Sequence, residues 1–129
     1  MYKELVISLI IVVTIFALDC ITQKYTEKAI NGTIQDLTEI GEVIKKDNVD
    51  YEKITKDANE KYEKWLNYHK TLAFYIEHNE LEKVETDFVA GKSFIETASY
   101  EDAFSELEKT IFVLKHINDK YSIKLENIF

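Results

Sequence analysis

Tyr51-Glu-Lys-Ile54-Thr-Lys-Asp-Ala58-Asn-Glu-Lys-Tyr62-Glu-Lys-Trp65-Leu-Asn-Tyr-His69-Lys-Thr-Leu72-Ala-Phe-Tyr-Ile76 decides how the chain folds. Tyr51, Ile54, Ala58, Tyr62, Trp65, His69, Leu72 and Ile76 recur at steps of only three and four, which places them on one stripe of an α-helix. Lys and Glu fill most of the opposite face. A helix built this way gains most of its stability by burying its stripe against others, so the flanking sequence must supply partners.

It supplies three. Upstream, Ile30, Ile34, Leu37, Gly41 and Ile44 form a stripe that ends near Lys45 and Lys46, followed by a turn at Asp47-Asn-Val-Asp50 in which Asp50 is the expected N-cap. Downstream, Glu77-His-Asn-Glu80 closes the second helix, and Asn79 with Glu82 predicts a capping box opening the third. That helix carries Leu81, Val84, Phe88, Gly91 and Ile95. Ser99 with Asp102 repeats the device before a fourth, through Ala103, Leu107, Ile111, Leu114 and Ile117 to Tyr121. The tail Tyr121 to Phe129 fits both a strand alternation and a helical stripe, and the context favours helix. Pro is absent and Gly occurs only three times, so little interrupts long helices. Short turns join antiparallel neighbours, which predicts an all-α, up-down-up-down four-helix bundle.

Ahead of the bundle lies Leu5-Val-Ile-Ser-Leu-Ile-Ile-Val-Val-Thr-Ile-Phe-Ala-Leu18, closed by Asp19. Its fourteen residues rise about 21 Å as a helix, short of a hydrocarbon core of about 30 Å. Counting to Ile21, with Asp19 at headgroup level, gives seventeen, the low end of the spanning range. No Ala-x-Ala-like pair precedes Asp19, so a retained transmembrane anchor is expected over a cleaved signal. Lipidation of Cys20 is disfavoured by Asp19 in front of it. The expected layout is an anchor at residues 1–21 and an acidic helical bundle domain at 22–129. Without a Pro between them, one long helix runs from the anchor into the bundle. Lys3 on one side and Lys24 with Lys28 on the other specify orientation weakly. A short head that stays inside predicts a single-pass protein of the cell membrane with its domain on the outer side.

The balance of 24 acidic against 16 basic residues gives a net charge of −8, and every basic residue is Lys. Lacking guanidinium groups and repelling polyanions, the chain is not expected to bind nucleic acid. Cys20 is the lone cysteine and has no partner for an intrachain disulfide.

Catalytic and metal-binding patterns are missing. No Glu lies three residues before His69, His78 or His116, so no Glu-x-x-His pair builds a metal site in a bundle; no catalytic, cofactor or metal residue is expected. His78 and Glu82, one turn apart, are a weak candidate for a cation but read better as solvated surface. No Gly-x-Ser-x-Gly turn and no phosphate-binding glycine loop occurs. Asn31-Gly32-Thr33 is formally a glycosylation sequon, discounted for lying inside a predicted helix. Tyr62, Trp65 and His69 are the candidate ligand pocket, with ordinary core packing as the competing explanation. Ile128 and Phe129 are the candidate docking residues for a partner, with burial in their own bundle as the competing one.

Several segments carry a resemblance to a known family: Asp19-Cys-Ile-Thr-Gln-Lys-Tyr-Thr26, Trp65, Tyr75-Ile-Glu-His-Asn-Glu-Leu-Glu-Lys-Val-Glu-Thr86, Glu106-Leu-Glu-Lys-Thr-Ile-Phe112 and Leu125-Glu-Asn-Ile-Phe129. Together they resemble the DUF4363-like proteins, a domain-of-unknown-function family of short, N-terminally membrane-anchored bacterial proteins. The resemblance implies an anchored partner subunit for another membrane protein and transfers no catalytic residue. From the sequence, then, the expected role is a non-catalytic interaction or assembly subunit for another membrane or envelope protein. An extracytoplasmic ligand-sensing bundle is the alternative.

Overall fold

Four α-helices in series make up the computed structural model, which describes residues 1–126: α1 Tyr2–Ile44, α2 Tyr51–Leu72, α3 His78–Glu96 and α4 Tyr100–Glu126. No strand occurs among the described residues. α1 packs on α2 and α4, and α3 packs on the same two, so the helices form a ring of antiparallel neighbours. α3 and α4 make the most extensive pair.

At 43 residues, α1 is about 65 Å long. Its hydroxyl side chains are satisfied within the helix. Ser8, Thr14 and Thr26 each donate to the carbonyl four residues earlier, at 2.9, 2.8 and 2.6 Å, and so need no partner from water. This helix is long and apolar enough to cross a membrane, and none of its most apolar window is buried by the bundle. The expected continuity from apolar run to bundle wall is therefore found. The tail is helical as far as Glu126; Ile128 and Phe129 lie outside the described residues.

The four stripes meet in one core. Ile30, Leu37 and Ile40 from α1, Ile54, Trp65 and Leu72 from α2, Leu81 and Phe88 from α3, and Leu107, Leu114 and Ile117 from α4 are all essentially inaccessible. Close approach needs small residues at two places. A Cβ at Gly41 would stand 3.3 Å from the Phe104 ring, and one at Gly91 would stand 3.1 Å from a Leu107 methyl.

The turns agree with expectation in part. Asp50 caps α2, its carboxylate accepting the Lys53 N–H at 3.2 Å. α2, however, stops at Leu72 rather than Ile76. Ala73, Phe74 and Tyr75 fold back their N–H groups onto the carbonyls of His69, Thr71 and Leu72, while Ile76 stays in the core. α3 begins at His78, before the expected cap Asn79, and Glu77 at its start makes no side-chain cap. The Tyr121 hydroxyl of α4 accepts the Glu77 N–H at 3.1 Å, which satisfies one of the free donors at this helix start. Ser99 precedes α4 as expected, but its hydroxyl lies 3.1 Å from that of Thr97.

The end of α3 is a Schellman turn. Ser99 N–H bonds the Phe94 carbonyl and Ala98 N–H bonds the Ile95 carbonyl, with Ala98 at φ 55°, where glycine is usual. Its Cβ makes that conformation costly for alanine.

Candidate functional site

Tyr62, Trp65 and His69, spaced three and four along α2, share the face turned toward α3. The opposing face of α3 presents Glu85, Phe88 and Lys92 at the same spacings. The two triplets interlock. The Tyr62 hydroxyl donates to one Glu85 oxygen at 3.1 Å, its ring meets the edge of Phe88 at 5.3 Å between centroids, and the Lys92 ammonium sits 4.2 Å above it. His69 stacks on Trp65 at 6.0 Å, and its Nδ1 stands 3.8 Å from the second Glu85 oxygen. That is an ion-pair distance for a protonated imidazole and too long for a hydrogen bond.

Electrostatics make this row a structural clasp. Burial pushes the Tyr62 hydroxyl up from its ordinary value, and the hydrogen bond to Glu85 and its negative charge push it further. A phenol so placed keeps its proton and donates a hydrogen bond to the carboxylate. Trp65 is wholly buried, and its indole N–H has no hydrogen-bond partner among the described residues. The sequence thus located three of the participants but missed Glu85, which accepts from Tyr62 and faces His69. Spacing along one helix cannot reveal which turn of another lies opposite.

Two described cavities lie elsewhere. An open groove of about 480 Å³ runs along α2 beside Tyr51, Thr55, Asn59 and Glu63. A smaller one, about 210 Å³, sits on the α1–α4 seam, where Gly41 leaves room beside Phe104 and the Lys45 ammonium lies 4.0 Å over that ring. Neither includes Tyr62, Trp65 or His69.

Among the described residues no cluster of three His, Cys, Asp or Glu side chains is placed to hold a metal ion. His78 and Glu82 stand 3.6 Å apart on the surface, facing each other. Several lysines meet acids on other helices: Lys61 reaches Glu39 at 3.0 Å, Lys64 reaches Asp36 at 3.2 Å, and Lys120 reaches Glu80 at 3.1 Å. Burial works against the charge of Lys61, but hydrogen bonds to Glu39 and Asp57 outweigh it and hold the ammonium above its ordinary value. The sequon threonine, Thr33, is buried and donates to the Ala29 carbonyl at 2.7 Å.

At the base of the bundle, where α1 leaves it toward the apolar run, a second polar link joins the helices. Tyr75 and Thr26 share a hydrogen bond of 2.7 Å, and the Tyr75 hydroxyl also approaches the Thr22 carbonyl at 3.3 Å. Burial raises the Tyr75 hydroxyl, while its bond with Thr26 acts the other way. Tyr25 meets Tyr68 edge to face at 6.0 Å just above.

A family model described as a domain of unknown function (DUF4363) matches residues 20–128, which takes in the bundle helices and leaves out the apolar run. No curated protein and no solved structure matches the chain.

Proposed function

Because the chain belongs to the DUF4363 family, whose description assigns no activity, we propose from the chain's own surfaces that it is a non-catalytic, single-pass membrane subunit. Its bundle stands on the outer side of the cell membrane and docks another membrane or envelope protein. The observation that carries this is Phe112, 73% exposed on the outward face of α4. Ser105, Glu108, Lys115, His116 and Asp119 are exposed on the same helix. An aromatic side chain within a polar rim is the arrangement that protein interfaces use as an anchor. The interlocked Tyr62–Glu85 clasp supports the same view, since it spends its polar groups on holding α2 to α3.

Photo-crosslinking in native membranes tests the docking. A photoreactive phenylalanine analogue at position 112 is expected to give one discrete adduct, and the same analogue at exposed Lys56 none. Recovery of monomer alone from both positions overturns it. Protease added to intact spheroplasts tests the side: digestion of the bundle supports the outer placement, and full protection reverses it.

A further inference from the structure

Phe74 is 89% exposed although the residues two positions away on either side turn inward. Leu72 and Ile76 are in the core, and Tyr75 is tied to α1 through Thr26 and Thr22. The turn is therefore held at both flanks while one large apolar ring points out of it. Among the described residues of the bundle Phe74 is the most exposed large apolar side chain.

Register along α1 says what lies beside it. Lys61 and Lys64 of α2 meet Glu39 and Asp36 of α1, and further down the Tyr75 hydroxyl meets Thr26 and the Thr22 carbonyl. α2 therefore descends antiparallel to α1 in a register that brings the α2–α3 turn level with Thr22 to Thr26. Phe74, in that turn, stands about one helical turn beyond Ile21, where the apolar stretch ends. α1 has no break between that run and the bundle, so this level is fixed relative to the turn. Lys24, Lys28 and Lys70, all exposed, stand within about two helical turns of it, within reach of lipid phosphates.

The apolar run is also short for a bilayer. A short span draws its flanking segments toward the headgroups, and aromatic rings are the side chains that settle at that depth.

We propose that the α2–α3 turn is a second membrane contact, with the Phe74 ring inserted into the lipid headgroup layer beside the exit of α1, holding the base of the bundle on the bilayer. This rests on α1 crossing the membrane, as proposed above. It adds a lipid-facing surface that the family match and the anchor do not supply.

Full-length chain reconstituted into phosphatidylcholine vesicles, with or without bromine on the acyl chains, tests it. Three variants, Phe74→Trp, Phe112→Trp and Leu9→Trp, each add one indole, and the unsubstituted chain gives the contribution of buried Trp65. The expected result is strong loss of the added emission for Phe74→Trp, deepest with bromine near the headgroup, and for Leu9→Trp with bromine deeper. Phe112→Trp is expected to keep its emission. If Leu9→Trp is quenched and Phe74→Trp is not, the turn contact is overturned and the anchor stands. If neither is quenched, both fall. Equal quenching of Phe74→Trp and Phe112→Trp also overturns the proposal, because the bundle would then lie on its side.

Discussion

From Leu5 to Leu18 every side chain of α1 is exposed, whereas between Thr26 and Ile44 eight residues of the same helix are buried in the bundle. No proline and no cap separates the two halves; only the distribution of apolar residues changes. In the first half they surround the helix, which suits a solvent that is itself apolar. In the second they keep to one stripe, which suits a protein core on one side and water on the other. One continuous backbone therefore carries two patterns, each suited to a different solvent, and near Asp19 the apolar-all-round half gives way to the striped half. That change carries more information than any single residue on either side.

The sharpest way to break the comparison is to remove equal apolar bulk from each half. Leu37→Ala deletes a side chain with no accessible surface and is expected to cost the bundle about 2–5 kcal/mol. Leu9→Ala removes the same atoms from a residue 61% exposed in the bare chain and is expected to leave unfolding of the bundle unchanged. Denaturant unfolding of both variants in detergent, followed by circular dichroism, measures the difference. Equal losses would mean that the apolar half packs on the bundle after all.

Much of this division was legible in the sequence, because stripes and an all-apolar run are local patterns. The four helices, the Asp50 cap and the continuity of α1 follow from residues within a turn or two of each other. The opening of α3 did not follow, because the group that satisfies the Glu77 N–H there is Tyr121, 44 positions away. Glu85 was hidden for the same reason. Its partners Tyr62 and His69 stood out on their stripe, but only the register of α3 against α2 brings the carboxylate between them.

Where the halves join, Tyr75 ties the α2–α3 turn to α1, and its hydroxyl is the next thing to remove. Tyr75→Phe is expected to cost about 1 kcal/mol, because Thr26 keeps its own bond to the Thr22 carbonyl and no buried group is left orphaned. A thermal melt measures the loss, and proteolysis at the turn shows where it falls. Alkaline pH tests the same links without mutation. The hydroxyls of Tyr62 and Tyr75 are both raised in the fold above the ordinary value of 10.0. Their contribution to stability is therefore complete below pH 10.0 and is lost as pH rises through the higher folded-state values, because the unfolded chain releases those protons first. The melting temperature should fall above pH 10.0, and less steeply for Tyr62→Phe.

The smallest test compares two glycines within the bundle half of α1. Each costs helix stability relative to alanine, by about 0.8–1.0 kcal/mol in an exposed helix interior. At Gly32 a Cβ would meet only the Tyr68 hydroxyl oxygen, at an ordinary contact of 3.8 Å, so Gly32→Ala is expected to return most of that amount. At Gly41 the Cβ would press on the Phe104 ring at 3.3 Å, and the ring is itself held beneath the Lys45 ammonium. Gly41→Ala should therefore gain less than Gly32→Ala or lose stability outright, and paired denaturant curves resolve the two. If both variants gain equally, Phe104 moves freely and the α1–α4 seam is looser than the rest of the core. If both lose, the space beside Gly32 is tighter than its 3.8 Å contact implies, and α1 depends on both glycines for close approach to its neighbours.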